Sequence, residues 1–184
     1  MRKTLILSAL GCLVAMPVMA KTYQLPDDNP AVSVTLPDNW KPSEVEKGVE
    51  ATSPDGETYV ALETATAKGM EKLIDEDIQF LTDQGVVVDK ATQQTHDTTI
   101  NGMSVSFLRW SGKDKDGPTN VTLGIFGVTG NLILLMTAWS SPAGETEYGK
   151  ELDRIVASVT NQYADGTATL RKRCVAPQRE IDPA

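Results

Sequence analysis

The chain is poor in the residues that build metal centres and catalytic sites. Its 184 residues include one histidine, His96, and two cysteines, Cys12 and Cys174. The common zinc sites need roughly three or four cysteine or histidine ligands, so this supply excludes them. Positive charge is also in deficit, because 17 Lys and Arg stand against 25 Asp and Glu, a formal net charge of -8. Nucleic acids and anionic lipid surfaces both require a basic footprint, which argues against either as a partner.

Long apolar runs are absent as well. No stretch reaches the roughly 18 apolar residues of a transmembrane helix, so we expect no transmembrane segment. The main apolar run, residues 5–14, follows Arg2 and Lys3 and precedes a small-residue end at Ala20. This order is typical of a secretory signal peptide. We therefore interpret residues 1–20 as a signal peptide, cleaved after Ala20, and expect the mature protein to be periplasmic or secreted.

A lipoprotein signal is the competing interpretation of the same leader. Cys12 follows a glycine, but Ala9 stands where an acylation signal usually has leucine. Lipidation at Cys12 therefore stays open as an alternative. Loss of residues 1–20 leaves Cys174 as the last cysteine, so no internal disulfide can form. Whether Cys174 is free or forms an intermolecular disulfide is left open.

Residues 131–139 indicate the fold class. The side chains from Leu132 to Met136 are apolar at every position, which predicts a strand covered on both faces. Residues 103–111 and 119–128 precede this strand, with turn-forming residues between the segments. The three segments together predict an antiparallel meander.

Other segments supply the remaining strands and two helices. Apolar residues at helical spacing predict amphipathic helices, and alternation or flanking turn residues predict strands. The resulting order is β-β-β-α-β-β-β-β-α, a largely antiparallel sheet with two helices in an α+β fold. The further strands are predicted at residues 32–36, 45–52, 58–66 and 90–99, and the helices at residues 69–84 and 141–159.

The two ends of the mature chain are predicted to add little to this domain. Residues 21–30 are polar and flanked by proline, which predicts an extended lead-in. Residues 161–184 hold few and scattered apolar side chains, which predicts a polar C-terminal tail. One domain is therefore predicted over residues 21–160.

No catalytic or metal-binding motif stands above its ordinary structural interpretation. His96 and Asp97 are neighbours in a predicted strand, where successive side chains point to opposite faces. Residues 114–117 look like half of a calcium loop but lack the glutamate that should follow, so a hairpin turn is the better interpretation. We expect no enzyme activity, no cofactor and no bound metal.

Two features are candidates for a binding surface. Core packing is the default for a tryptophan, but Trp40 follows a turn flanked by prolines, and Trp110 shares a strand face with two serines. The second feature is the basic cluster Arg171, Lys172 and Arg173. Its ordinary interpretation is a solvated tail, and the alternative is a docking peptide for a partner.

These segments resemble the PsbP-like superfamily, and in particular its bacterial DcrB-type exported proteins. The resemblance covers about residues 31–160. It rests on the order of elements, the strand at residues 32–40 with its Leu-Pro-x-x-Trp end, the turn at 53–56 and the Asn-Gly hairpin at 101–102. It implies a three-layer α/β/α sandwich around a largely antiparallel sheet. It also implies a non-catalytic binding or assembly accessory, in several cases of membrane-associated complexes, with no catalytic residues to carry over.

The sequence therefore predicts an exported, non-catalytic binding or accessory protein of the bacterial cell envelope. It would support a protein partner of unknown identity or a membrane-associated complex, in an oligomeric state that the sequence leaves open. One alternative is a carrier of a small apolar ligand, bound between sheet and helix near Trp40 or Trp110. The other is an enzyme of unrecognised chemistry, such as a hydrolase.

Overall fold

A computed structural model describes residues 19–163 of the chain. Most of the predicted signal peptide lies outside these residues, as do Arg171, Lys172, Arg173 and Cys174. The described chain forms two sheets and two α-helices. In chain order the elements are β1 (Ala20–Leu25), β2 (Val32–Pro37), β3 (Ser43–Val45), β4 (Gly48–Thr52), β5 (Thr58–Thr66), α1 (Met70–Asp83), β6 (Val87–Val88), β7 (Gln94–Ile100), β8 (Met103–Lys113), β9 (Pro118–Gly127), β10 (Leu132–Ser140), α2 (Pro142–Ser158) and β11 (Thr160–Asn161).

The larger sheet has eight strands, and every pairing between them is antiparallel. Seven strands follow the order β3-β4-β5-β10-β9-β8-β6, and β7 also pairs with β8. The predicted meander is present as β8, β9 and β10 and is confirmed. The hairpin between β7 and β8 turns at Asn101 and Gly102, whose φ angles of 49° and 80° are those that an Asn-Gly pair favours.

The side chains of β10 enter separate apolar clusters on its two faces. Leu134 is buried in the main core with Ile155 of α2 and Val34 of β2. Leu135, the next residue, is buried against Leu73 of α1. Successive strand residues point to opposite faces, so α1 covers one face of the larger sheet and α2 with β2 covers the other. The prediction that this strand is covered on both faces is confirmed.

A second sheet, of three strands in the order β1-β2-β11, corrects the predicted architecture. The predicted lead-in at residues 21–30 contains most of β1, whose Tyr23 and Leu25 are buried in the main core. At the other edge β11 pairs with β2, where the Ser33 and Thr160 hydroxyl oxygens are 2.7 Å apart. The layer opposite α1 is therefore a helix together with a small sheet, and the predicted single sheet is wrong.

The predicted order of elements omitted four strands, β1, β3, β6 and β11. Three of them are two or three residues long and too short to show alternation. They form because a neighbouring strand supplies their hydrogen bonds, which is a tertiary cause that local patterns do not contain. The strand β11 also crosses the predicted domain boundary at residue 160, and the next backbone N–H, of Gln162, donates to Ala31 O at 2.8 Å.

The helix termini follow the local sequence signals. Ser141 caps α2, because its hydroxyl accepts a hydrogen bond from Gly144 N at 3.0 Å and Pro142 occupies the first helical position. Gly144 also lies tight against the sheet, since an added Cβ there would be 2.7 Å from the Glu57 carbonyl oxygen. After α1, Gly85 adopts a φ of 81°, the left-handed conformation in which helices commonly end.

Candidate functional site

α1 covers one end of an aromatic row on the larger sheet and leaves the other end open. The strand registers place Trp110, Val121, Trp139 and Tyr59 side by side on β8, β9, β10 and β5. Phe80 of α1 covers the Tyr59 end, with its ring centroid 5.7 Å from that of Tyr59 and 5.8 Å from that of Trp139. The Trp110 ring at the opposite end is only partly buried. An apolar groove therefore runs between α1 and the β8 side of the sheet.

This groove, which we name the Trp110 groove, has a volume of about 230 Å³. Two of its walls are α1 and the segment around β6, and its floor is formed by β8 and β9. Six of the eight side chains that line it are apolar, so it offers an apolar contact surface. The lining residues are Ile78, Leu81, Val88, Lys90, Gln93, Trp110, Val121 and Leu123.

Two side chains give the groove its exposed apolar character. The indole Nε1 of Trp110 donates to Oε1 of Gln93 at 3.3 Å, which fixes the ring beside the groove. Ile78 on the helix wall is 50 % exposed, a large apolar side chain left in contact with water. Tryptophan combines a large apolar ring with a polar N–H group, and this combination is enriched at interfaces. The pair can therefore bind an apolar group that enters between them.

The charge of the groove comes from Lys90 alone among its lining residues. Within the described part of the chain the Lys90 ammonium group makes no salt bridge. The chain as a whole is acidic, so this lysine sets the groove apart from the general surface charge. An apolar group that adjoins a carboxylate therefore complements the groove better than a cation does.

A second cavity, of about 220 Å³, lies between α1 and the β4–β5 side of the sheet. We name it the carboxyl cavity, because four of its ten lining residues are acidic. This concentration of carboxyl groups under a helix distinguishes it from the apolar Trp110 groove. Its lining residues are Val45, Glu50, Tyr59, Ala61, Glu63, Leu73, Glu76, Asp77, Phe80 and Thr137.

Burial changes the titration of the groups in the carboxyl cavity. Burial, assisted by the negative charge of Asp77, raises the pKa of Glu63 to about 7. Burial also raises the pKa of Asp77, although hydrogen bonds with Thr137 and Glu63 oppose that rise. Burial, together with a 2.7 Å hydrogen bond to Glu50, raises the pKa of Tyr59. Glu63 is therefore the carboxyl group that keeps a proton up to near neutral pH.

Trp40, the other predicted tryptophan, lies in the core. Its ring is 0 % exposed and meets the Tyr148 ring edge-on at 5.7 Å between centroids. Its Nε1 donates to Oε2 of Glu151 at 2.9 Å, so the polar atom of the ring is also satisfied. Trp40 belongs to the cluster on the α2 side and Trp110 to a cluster on the α1 side. The structure therefore places the two tryptophans on opposite sides of the larger sheet. Of the two, Trp110 lines the groove and Trp40 does not.

The other sequence candidates among the described residues line neither the Trp110 groove nor the carboxyl cavity. His96 and Asp97 occupy successive exposed positions of β7, where their side chains point to opposite faces. Asp114 closes its hairpin turn, because its Oδ1 accepts from the backbone N–H groups of Asp116 and Gly117 at 2.8 and 3.0 Å. Within residues 19–163, no group of three or more His, Cys, Asp or Glu side chains could hold a metal ion. No helix in the same range is long and apolar enough to cross a membrane.

Sequence reasoning missed the carboxyl pair of Glu63 and Asp77. Asp77 lies four residues from both Leu73 and Leu81, so it falls on the buried stripe of α1. That spacing was a usable signal, since an acidic residue in the middle of an apolar stripe must be either exposed or paired. The signal was missed because the same helix carries many exposed acidic residues, and Asp77 was not distinguished from them.

Comparison with known proteins identifies the fold. No family model and no curated protein matches the chain. Cyanobacterial PsbP (CyanoP) from Synechocystis sp. PCC 6803 is similar in structure, with a TM-score of 0.53 and 9% sequence identity, over 82% of this chain and 97% of that chain. A crystal structure from Bacteroides thetaiotaomicron VPI-5482 has a TM-score of 0.52 and 14% identity, over 77% of this chain and 48% of that chain.

A third structure is more distant. LpqN, described as involved in cell envelope biogenesis of Mycobacterium tuberculosis, has a TM-score of 0.48 and 12% identity, over 77% of this chain and 90% of that chain. Identities this low concern the fold alone, and the two structures with higher TM-scores carry that comparison. The fold of this chain is PsbP-like, a mixed α and β architecture with mostly antiparallel strands and two helices. The PsbP-like part of the predicted resemblance is confirmed at this level.

Proposed function

We propose that this chain is an exported, non-catalytic binding or accessory protein of the bacterial cell envelope, which supports a protein partner or a membrane-associated complex through the Trp110 groove. The observation that carries the proposal is the groove itself, where a partly buried Trp110 faces the exposed Ile78 across an apolar cavity. The non-catalytic part is supported by the position of His96, which lines neither this groove nor the carboxyl cavity.

The size of the groove favours a protein partner over a whole small molecule. Pockets that enclose drug-sized ligands have volumes of roughly 300–1,000 Å³. At about 230 Å³, the groove suits one large apolar side chain of a partner. Protein interfaces often depend on such an anchoring side chain in a central pocket. A partner segment that carries an apolar side chain beside a carboxylate would fit both the apolar walls and Lys90.

The export part of the proposal rests on the leader sequence. Residues 1–20 have the charged start, apolar run and small-residue end of a signal peptide, and cleavage would follow Ala20. Kinship with DcrB-type exported proteins belongs to the same proposal and agrees with the PsbP-like fold. The three-layer arrangement of that family is also part of the proposal. In this chain the small sheet would extend the layer formed by α2.

A carrier of a small apolar ligand is the second candidate. It is favoured by the lining of the groove, in which Lys90 and Gln93 are the only polar residues. A short alkyl chain would contact the same walls as an anchoring side chain of a partner. The two candidates differ in what should co-purify with this chain from the cell envelope. A binding or accessory protein should co-purify with a second protein, and a carrier should co-purify with a small molecule of fixed mass.

Site-specific photo-crosslinking in living cells tests the leading candidate. A photoreactive residue replaces Ile78 at the groove in one variant and Lys150, exposed on α2 of the opposite layer, in the matched control. We expect a discrete protein adduct from position 78 and not from position 150. Combining the position-78 probe with Trp110→Ala should reduce the adduct strongly, because the floor of the groove is lost.

Other outcomes separate the alternatives. Equal adducts from both positions, or an adduct indifferent to Trp110→Ala, would contradict the groove as contact surface. A small molecule of constant mass in native mass spectrometry, lost in Trp110→Ala, would support the ligand carrier. Turnover of a hydrolase substrate that is lost on changing one acidic or serine residue would overturn the non-catalytic proposal.

A further inference from the structure

A buried carboxyl pair connects α1 to the larger sheet. Asp77 is 7 % exposed and lies between Leu73 and Leu81 on the buried stripe of the helix. The Thr137 hydroxyl of β10 donates a hydrogen bond to Asp77 Oδ2. Glu63 of β5 lies opposite Leu135 in the strand register, on the face that α1 covers, and lines the same cavity as Asp77. Two carboxylates in one partly buried cavity oppose each other's ionisation, so the pair is favoured when it holds one proton between the two groups.

The charges around the pair do not neutralise a second carboxylate. Lys47 is the nearest cation, and its ammonium group is already 2.5 Å from Glu76 Oε2. Lys72 reaches the other oxygen of Glu76, at 3.2 Å, from the exposed side of the helix. The remaining titratable groups of the cavity are Glu50 and Tyr59, which hydrogen-bond to each other. Loss of the shared proton therefore adds one negative charge to a cavity that is already acidic.

α1 has few other polar attachments to the sheet. Among the residues that the structure describes, its side chains hydrogen-bond to other elements only through Glu76, to Lys47, and through Asp77. Its apolar contacts are two small clusters, one around Leu73 and one around Leu81, and the Phe80 ring against Tyr59 and Trp139. Repulsion at Asp77 would therefore act on a helix that is held at few points.

We propose that Glu63 and Asp77 form a pH-sensitive latch, which holds α1 on the sheet while they share a proton and loosens the helix when that proton passes to water. Because burial raises the pKa of Glu63 to about 7, the change falls near neutral pH. Ile78 and Leu81 of α1 form one wall of the Trp110 groove, so loosening the helix widens that groove. The effect on binding rests on the proposed function, whereas the latch itself does not.

Hydrogen exchange of the α1 amides tests the latch on the full chain, without any partner. Opening constants of α1, corrected for intrinsic exchange rates, are compared between about pH 5.5 and about pH 8.5. Between these two pH values a shift from 4.5 to about 7 allows at most about a 30-fold change, because a carboxyl group with a pKa of 4.5 is already mostly ionised at about pH 5.5. Solvent screening at the partly exposed Glu63 reduces the expected change to about tenfold. We expect this rise in the wild-type protein and less than about a twofold rise in Glu63→Gln.

Asp75→Asn is the matched control, because it removes a carboxylate from the exposed face of the same helix. It should behave as the wild type does. A wild-type helix whose opening does not change with pH, or a Glu63→Gln variant that responds as the wild type does, would overturn the latch. If Glu63→Gln does not fold, the pH titration of the Glu63 carboxyl carbon resonance in the wild-type protein replaces it as the test. A titration midpoint near the ordinary 4.5 would also overturn the proposal.

Discussion

Truncating one leucine on each face of β10 tests the two-sided core. Leu134 is 0 % exposed and Leu135 is 1 % exposed, and they belong to different apolar clusters. Leucine to alanine removes about three methylene-sized groups, and burial of each contributes about 0.8 kcal/mol, so the transfer free energy lost is about 2.4 kcal/mol. The cavity left behind extends the range to about 2–5 kcal/mol. We expect both Leu134→Ala and Leu135→Ala to lower the free energy of unfolding within this range.

Urea unfolding followed by tryptophan fluorescence measures both losses. The slope of free energy against urea should stay at the wild-type value, so that the shift in midpoint reports stability alone. Ile78→Ala is the control, because its half-exposed side chain should cost less than about 1 kcal/mol. A loss below about 1 kcal/mol at either Leu134 or Leu135 would refute the claim that the corresponding face is covered.

Three further predictions concern other parts of the chain. A pKa raised on folding stabilises the protein at low pH, and that contribution is lost as the pH rises from about 4.5 to about 7. Over this window the free energy of unfolding of Glu63→Gln, measured in urea titrations, should rise by about 1–2 kcal/mol relative to that of the wild type. The full pKa shift corresponds to about 3 kcal/mol, and solvent screening reduces it. A difference between the two proteins that stays constant with pH would contradict this prediction. A chain that ends at Tyr163, which keeps the hydrogen bond from Gln162 to Ala31, should melt in calorimetry at the temperature of the full chain. Cys174 should react with a thiol reagent in the native protein, because the sequence beyond residue 163 has few apolar side chains to bury. A lower melting temperature together with an unreactive thiol would show that this segment contributes to the fold. Ser141→Ala should cost about 1 kcal/mol in urea unfolding, because the Gly144 N–H loses its cap, and an unchanged midpoint would count against that cap.

Local signals were sufficient for the centre of the fold. The unbroken apolar run of β10 predicted a strand with two covered faces, because any uncovered face would expose large apolar side chains to water. Asn101 and Gly102 predicted their hairpin since both readily adopt the positive φ that the turn requires. Ser141 and Pro142 predicted the start of α2 for an equally local reason, the capping of free N–H groups.

The small sheet and the carboxyl cavity depend on contacts between distant segments. The strand β1 forms because β2 pairs with it, and β11 forms because the chain returns to the other edge of β2 after α2. Glu63 and Asp77 come together only when α1 packs on the sheet: the position of Asp77 on the apolar stripe of α1 indicates that it needs a partner, but nothing in the sequence identifies Glu63 as that partner. The Trp110 groove was predicted only in part, because the sequence identified its tryptophan but not the opposing wall at Ile78.

The affinity of the Trp110→Ala variant for the partner captured at position 78 tests most directly whether the Trp110 groove is the contact surface. Isothermal titration calorimetry with the purified partner gives the dissociation constants of the wild type, of Trp110→Ala and of His96→Ala, whose side chain is exposed on β7 away from the groove. Loss of a central aromatic anchor costs about 2 kcal/mol or more, so we expect Trp110→Ala to bind at least about tenfold more weakly. His96→Ala should bind within about twofold of the wild type, a difference below about 0.5 kcal/mol. Wild-type affinity in a folded Trp110→Ala protein would contradict the proposed contact surface.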